Sequence, residues 1–230
     1  LYAKRERNCR SSSAARPSRT GPSYANTSLP RDVDRSSFAV TVWETLDSKY
    51  IWRSHWYNLR QDRLRTPVGR EFTYTLVDHP GAVWVVPVTA EGQVALIWQY
   101  RYTVDDWCYE VPAGGLSEGL TPEETARKEL LEEIGGLASE FRYIGQFYTS
   151  NGISNEVAYV YLATGVELGK ASREPTELLE VRLVAAENAL RMARSGEISD
   201  GPSALALLWC ESLLAMEHQR TKDNVSRPGR

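Results

Sequence analysis

The chain has 230 residues, of which 42% are apolar and 25% are charged, and its formal net charge is −3. These proportions are typical of a globular protein with a sizeable core. No apolar run approaches the roughly 18 residues that a membrane-spanning helix needs, which excludes an integral membrane protein. The three cysteines are widely separated, which excludes a disulfide-rich scaffold and indicates a reducing compartment such as the cytoplasm. The three histidines have no zinc-binding spacing, so any bound metal is expected to have oxygen ligands.

The first 37 residues differ in composition from the rest of the chain. They carry eight basic and three acidic side chains, a net charge of +5, which leaves −8 for residues 38–230. They are rich in serine and arginine and have hardly any apolar pattern, so residues 1–37 are predicted to be a disordered tail. Three explanations stay open: a transit peptide that directs organellar import, a nucleic-acid-binding tail, or upstream sequence translated from a wrong start. Leu1 in place of a methionine favours a fragment or a misplaced start.

Alternating apolar and polar residues predict strands from Phe38 onward. The first three strands are expected to form an antiparallel piece over residues 38–80. A turn at Pro80-Gly81 follows, and two apolar runs joined by a short turn predict a hairpin at the centre of a sheet. The five predicted strands cover residues 38–43, 51–59, 71–77, 82–88 and 94–98.

A helix with clear start and stop signals comes next. Thr121 can cap it, Pro122 suits the first helical position, and Glu124 completes a Thr-x-x-Glu capping box. Gly135 and Gly136 can end it. The remaining predicted elements are strands at 141–149, 157–163 and 181–184, helices at 186–194 and 202–217, and a frayed tail at 219–230.

The acidic face of the first helix is the most informative feature of the sequence. Glu129, Glu132 and Glu133 are spaced i, i+3 and i+4, so they share one arc of the helix, beside an apolar arc that would face the core. Acidic faces of this kind are usually solvated, and the three glutamates alone favour that interpretation. The upstream turn at 111–115 favours a site instead, because its small residues expose backbone groups beside the helix. Clustered carboxylate oxygens suit Mg²⁺ or Mn²⁺.

Residues 114–136 resemble the Nudix box, Gly-x5-Glu-x7-Arg-Glu-U-x-Glu-Glu-x-Gly-U, in which U is a bulky aliphatic residue. Three positions depart from the pattern: Leu120 stands at the first Glu, Lys128 at the Arg and Gly136 at the last aliphatic residue. The positions that match are Gly114, Glu129, Leu130, Glu132, Glu133 and Gly135.

Segments outside the box extend the resemblance from about residue 40 to residue 217. Gln99-Tyr-Arg101, Glu110-Val-Pro-Ala-Gly114 and residues 148–156 resemble the ADP-ribose (ADP-sugar) pyrophosphatase branch of the family. That branch usually has Pro where Asn151 stands, so the sequence indicates the reaction type more firmly than the substrate.

The resemblance implies an α/β (α+β) fold: a Nudix-type mixed β-sheet sandwiched between helices, with an N-terminal antiparallel β extension. It implies a Nudix hydrolase domain over 81–218 and an N-terminal piece over 38–80 that serves homodimerisation and substrate recognition. The implied reaction is metal-dependent hydrolysis of the diphosphate of ADP-ribose or a related ADP-sugar, which gives AMP and a sugar phosphate. The expected partners are a nucleotide-sugar substrate and a second copy of the chain, without a membrane.

The same resemblance implies a set of site residues. Glu129 and Glu133 would be the principal ligands of Mg²⁺, with Mn²⁺ as an alternative, while Glu132 and the carbonyl of Ala113 would complete the site. Arg101 would contact the diphosphate; without the resemblance it would be a surface arginine on an edge strand. The other candidates are Glu177, preferred over Glu174 as the general base, Gly114 and Glu156 for substrate binding, and Trp52 or Trp56 for adenine stacking.

Three alternative functions stay open at this stage. The chain could hydrolyse another nucleoside diphosphate sugar, such as GDP-mannose. It could be a sensor that binds ADP-ribose without cleaving it, although the three box glutamates favour an enzyme. It could hydrolyse RNA or its cap, with the basic tail binding the phosphate backbone. The net negative charge of residues 38–230 argues against such a nucleic-acid partner.

Overall fold

A computed structural model describes residues 43–172 and 178–217 of the chain. The two predicted tails, Glu174, Glu177 and most of the first predicted strand lie outside the described residues. In chain order the elements are β1 (Glu44–Arg53), β2 (Asn58–Arg65), β3 (Glu71–Asp78), β4 (Ala82–Thr89), β5 (Gln93–Arg101), β6 (Asp106–Glu110), β7 (Ala113–Gly115), α1 (Pro122–Ile134), β8 (Gly136–Leu137), β9 (Glu140–Tyr148), β10 (Val157–Leu168), β11 (Leu179–Ala185), α2 (Ala186–Ser195) and α3 (Gly201–Trp209). A further helical segment covers 211–217.

The first three strands form a separate antiparallel sheet in the order β1-β2-β3. The strand predicted over 51–59 is wrong, because this stretch contains the end of β1, a turn and the start of β2. Within the turn, the hydroxyl of Ser54 accepts hydrogen bonds from the amides of Trp56 and Tyr57. The alternation of aromatic residues continues through this turn, so the residue pattern alone does not reveal it.

The second sheet has eight strands and mixed pairing. Its central order is β11-β5-β4-β10-β8, with β6 paired to β5, β7 to β4 and β9 to β10. Strands β4 and β10 run parallel, whereas the other pairs are antiparallel. The predicted hairpin of β4 and β5 is confirmed. The turn predicted over 111–115 is wrong for Ala113–Gly115, which form the short strand β7 against β4, and the residue pattern does not predict β6 or β8. The mixed sheet with helices and an N-terminal antiparallel extension confirms the predicted fold class.

The core lies on both faces of this sheet. On one face, Ala126, Leu130 and Ile134 of α1 pack against alternate residues of β4 and β5, as the apolar arc of the helix predicts. On the other face, α2 and α3 pack against the intervening residues, such as Val86 and Leu96. Because β4 and β5 are covered on both sides, their sequences are almost continuously apolar.

The single C-terminal helix predicted over 202–217 is interrupted at Cys210, which is fully buried. The amide of Cys210 is shared between the carbonyls of Ala206 and Leu207, a tighter turn than that of a regular α-helix. No helix of the described residues is long and apolar enough to cross a membrane.

Candidate active site

Local interactions at both ends set the position of α1. The side chain of Thr121 accepts from the amide of Glu124 and the carboxylate of Glu124 accepts from the amide of Thr121, which confirms the predicted capping box. Gly135 ends the helix with φ of 65° and leaves room for Gly169, whose amide donates to the Gly135 carbonyl at 2.9 Å. These contacts and the buried apolar arc orient Glu129 and Glu133 of α1 towards β7.

Strand β7 contacts two of the three carboxylates, one through a hydrogen bond and one through close packing. The amide of Ala113 donates to Oε2 of Glu133 at 3.0 Å, and Glu133 is only 4% exposed. A Cβ on Gly114 would stand 2.3 Å from Cδ of Glu129, so the absence of a side chain at position 114 is what makes space for this carboxylate. Backbone pairing with the start of β4 anchors β7.

Glu132 points to a different partner. Nζ of Lys128 donates to Oε2 of Glu132 at 2.6 Å and lies 3.5 Å from Oε1 of Glu129. These contacts, the hydrogen bond to Glu132 foremost, raise the pKa of Lys128 above its ordinary value. Glu132 is 41% exposed, in contrast to the buried Glu133.

Arg101 lies at the end of β5 and forms a bidentate pair with Glu110 of β6. Nε of Arg101 donates to Oε1 of Glu110 at 2.7 Å, and Nη2 donates to the other oxygen. The pair raises the pKa of Arg101, with smaller contributions from Glu133 and Asp200. The edge-strand interpretation of Arg101 is wrong, since β5 has β11 on one side and β6 on the other. The side chain of Glu110 is 5% exposed and that of Arg101 is 43% exposed, so Arg101 is the partner that solvent can reach.

Glu156 directly precedes β10 and lies at the same end of the sheet as β7. Ala82, at the start of β4, pairs with Gly115 on one side and with Ala158 on the other, which separates the two segments by about 10 Å, or two strand spacings. Oε2 of Glu156 accepts from the hydroxyl of Thr149 at 2.5 Å, and Oε1 lies 3.2 Å from Nδ1 of His79.

Ser172 and Leu178, the residues on either side of 173–177, are hydrogen-bonded to α1 and to β5. The amide of Ser172 donates to the carbonyl of Glu132 at 2.9 Å, and the amide of Tyr100 donates to the carbonyl of Leu178 at 3.2 Å. The flanks of the segment that contains Glu174 and Glu177 are therefore held at α1 and beside Arg101.

Trp52 and Trp56 lie on the three-stranded sheet and its first turn, and both are exposed. The ring of Trp52 lies 5.4 Å from that of Tyr57, and Trp56 makes an edge contact with His55 at 5.0 Å. These contacts do not connect either ring to α1.

Comparison with known proteins identifies the family. Residues 78–203 match the NUDIX domain family, and residues 43–77 match the nucleoside diphosphate sugar hydrolase N-terminal domain. An ADP-ribose pyrophosphatase of Bacillus subtilis is 34% identical over 179 residues, which are 77% of this chain and 97% of that protein. The chain belongs to the Nudix family. A Mycobacterium tuberculosis protein of the same name is 37% identical over 160 residues, which are 68% of this chain and 77% of that protein.

A solved structure of an ADP compounds hydrolase shares the Nudix fold of this chain. The TM-score is 0.66 at 16% sequence identity, and the match covers 76% of this chain and 95% of the other. The resemblance inferred from the Nudix box and the surrounding motifs is thus confirmed, and the chain is a Nudix hydrolase.

Nudix hydrolases generally need a divalent metal, and the acidic arc of α1 fits one. The available donors are carboxylate oxygens, which are ligands for a hard cation. The space left by Gly114 admits the Glu129 carboxylate beside Glu133. Within 43–172 and 178–217, no three His, Cys, Asp or Glu side chains are already grouped around a common centre. Binding of one metal ion by all three glutamates would therefore need rotation of their side chains, which have several staggered conformations available.

Some polar residues of the site region were not assigned a role from the sequence. Glu110, His79 and Thr149 contact candidate site residues directly. Glu110 carried a signal, because an acidic residue next to the apolar Val111 and Pro112 marks a buried charge that needs a partner. His79 carried none, since its contact with Glu156 spans 77 positions of the chain. Thr149 lies only seven residues before Glu156, but no residue pattern predicts the loop conformation that brings the two together.

Proposed function

We propose that the protein hydrolyses the diphosphate of ADP-ribose or a related ADP-sugar to AMP and a sugar phosphate, with Mg²⁺ as the metal and Mn²⁺ as a substitute. The single observation that carries this proposal is the contact of Glu129 and Glu133 with β7. It combines a carboxylate pair with exposed backbone groups in a Nudix hydrolase whose relatives include proteins named ADP-ribose pyrophosphatase.

Glu129 and Glu133 are the main metal ligands in this proposal, with Glu132 and the carbonyl of Ala113 as further ligands. The hydrogen bond from the Ala113 amide keeps the Glu133 carboxylate oriented towards β7. The bound metal supplies positive charge that stabilises the leaving phosphate and acidifies a water molecule.

Arg101 binds the diphosphate in this proposal, since its side chain is 43% exposed while that of its partner Glu110 is buried. Its planar fork suits phosphate oxygens, and the pairing with Glu110 limits its rotation. The attacking water needs a base, and we assign this role to Glu177, with Glu174 as the alternative. The acidic side chain that performs this role accepts the proton as the water oxygen attacks phosphorus.

The remaining assignments concern recognition. Glu156 accepts hydrogen bonds from sugar hydroxyls, and Trp52 or Trp56 stacks on the adenine. Gly114 contributes to substrate binding by leaving space for the carboxylate of Glu129. A homodimer formed through the N-terminal sheet, acting in the cytoplasm, completes the proposal. The exposed aromatic residues of that sheet support both the stacking and the dimer.

Hydrolysis of ADP-ribose, measured as AMP release with and without Mg²⁺, tests the reaction. The variant is Glu133→Gln, whose amide oxygen can still accept from Ala113 but lacks the charge. We expect metal-dependent AMP release that falls by more than about 100-fold in the variant. Glu123→Gln is the matched control, because Glu123 lies on the same helix but is exposed and pairs with Arg127.

Other outcomes would contradict parts of the proposal. Cleavage of GDP-mannose but not ADP-ribose would keep the reaction and reject the substrate. Binding of ADP-ribose without cleavage of any sugar nucleotide would reject the enzyme and favour a sensor.

A further inference from the structure

A polar cluster joins the three-stranded sheet to residues 149–156, the loop between β9 and β10. Its centre is Asp78, the last residue of β3, whose side chain is 17% exposed. Oδ2 of Asp78 accepts from the hydroxyl of Tyr50 at 2.7 Å, while Oδ1 accepts from Nη1 of Arg60 at 3.0 Å and from Nδ2 of Asn155 at 2.6 Å. One carboxylate therefore connects all three strands of this sheet to the loop.

Asn155 uses both ends of its side-chain amide. While Nδ2 donates to Asp78, Oδ1 accepts from the amide of His79 at 2.8 Å. The backbone continues the connection, since the Val77 amide donates to the carbonyl of Ile153 at 2.8 Å and the Asn155 amide donates to the Val77 carbonyl at 3.3 Å. The loop thus pairs with the end of β3 through backbone hydrogen bonds, and the N-terminal sheet sets the position of the loop.

The same contacts position Glu156, the next residue in the chain. Asn155 holds the amide of His79, whose Nδ1 accepts from the amide of Gly81 and therefore donates no hydrogen bond to Oε1 of Glu156, 3.2 Å away. Hydrogen bonds within the loop hold Glu156 itself, because the amide of Thr149 donates to its carbonyl at 3.4 Å and the hydroxyl of Thr149 donates to its Oε2 at 2.5 Å. The side chain of Glu156 is 22% exposed, so it is not sealed in the core.

We propose that Asp78 and Asn155 are positioning residues of the substrate site, which orient Glu156 towards the sugar hydroxyls of the substrate. A carboxylate accepts hydrogen bonds from neighbouring hydroxyls only when its orientation is held, and buried polar networks supply such rigidity. The N-terminal sheet thereby contributes to substrate binding within its own chain. This inference rests on the proposed function, in which Glu156 contacts the sugar.

The test exchanges donor and acceptor between the two residues. Asn155→Asp keeps an acceptor for the His79 amide but places a carboxylate oxygen against Asp78. We expect the KM for ADP-ribose to rise about tenfold while kcat stays within about twofold, because one held hydrogen bond is lost from ground-state and transition-state binding alike. Adding Asp78→Asn to Asn155→Asp restores one donor and one acceptor and should return KM to within about threefold of wild type.

Arg63→Gln is the matched control, because Arg63 lies on β2 and forms an exposed ion pair with Glu71 away from the loop. It should leave KM and kcat unchanged. If Asn155→Asp fails to fold, Tyr74→Phe replaces it, since it removes only the hydroxyl that donates to the carbonyl of Gly152 in the same loop. A KM increase is expected there as well.

Hydrogen exchange over 149–156 supplies a readout independent of activity. Exchange should be faster in Asn155→Asp than in Arg63→Gln and return towards wild type in the double variant. Faster exchange with unchanged KM and kcat would overturn the positioning role while the proposed function stands. A wild-type protein that cleaves no sugar nucleotide would instead reject the proposed function, and the inference with it.

Discussion

The carboxylate of Glu129 lies directly against the Cα of Gly114. A Cβ at position 114 would be 2.3 Å from Cδ and 2.5 Å from Oε2 of Glu129. Any side chain at this position must displace the end of Glu129. Because that end belongs to a flexible side chain, the displacement costs little folding free energy but changes where a proposed metal ligand is held.

Gly114→Ala is therefore expected to lower kcat/KM by about 100-fold, as misplacement of a catalytic group by about an ångström can do. The midpoint of thermal unfolding should change by less than about 3 °C. Gly115→Ala is the control, since a Cβ there meets no atom within 4 Å. Wild-type activity in Gly114→Ala would show that Glu129 is not used in the position that the structure gives it.

The pair of Arg101 and Glu110 separates a contribution to stability from one to activity. Arg101→Met leaves the buried Glu110 without its partner and should lower the free energy of unfolding by about 2–3 kcal/mol. The double variant Arg101→Met/Glu110→Gln removes both charges and should recover most of this loss. Because the double variant still lacks the guanidinium that we assign to the diphosphate, its activity should stay low. Urea unfolding and ADP-ribose hydrolysis measure the two effects; recovery of activity along with stability would contradict the assignment of Arg101.

The departure from the Nudix box at Leu120 should be functionally silent. Leu120 is 40% exposed and lies just before the N-cap of α1, away from the contacts of Glu129 and Glu133. Leu120→Glu adds a charge that the helix N-terminus tolerates, so turnover is expected to stay within about twofold of wild type. Leu120→Gln controls for the change of shape. A large rise in turnover for Leu120→Glu alone would show that the native box lacks a required carboxylate.

The stability of the N-terminal sheet should depend on acid through Asp62. The hydrogen bonds from Arg60 lower the pKa of the buried Asp62. Since the folded-state pKa lies below that of the unfolded chain, the pair stabilises the fold above about pH 4, and this stability is lost as the pH falls through the folded-state pKa. Urea midpoints measured between about pH 5 and about pH 2.5 should fall more steeply for wild type than for Asp62→Asn.

Glu71→Gln is the comparison for this acid dependence. The pKa of Glu71 is also lowered, by Arg65, but both side chains are 42% exposed, so solvent screens the pair. Removal of the Glu71 carboxylate should leave the pH dependence of the urea midpoint close to that of wild type. Parallel curves for wild type and Asp62→Asn would contradict the role of Asp62.

The sequence by itself determined the features that depend on neighbouring residues. The capping box at Thr121, the end of α1 at Gly135 and the shared arc of Glu129 and Glu133 all follow from helix geometry, which repeats every few residues. The central hairpin was equally predictable, because its apolar runs are strong and its turn is short. Together with the motifs around them, these local features were sufficient to predict the family.

Only the tertiary structure decided which distant residues meet. Asp78 and Asn155 are 77 positions apart, and the approach of Gly114 to Glu129 depends on how α1 packs across the sheet. The pairing of Arg101 with Glu110 requires β6, which no residue pattern predicted. Such contacts follow from strand register and helix packing, which are set by the burial of the whole core rather than by any short stretch of the chain.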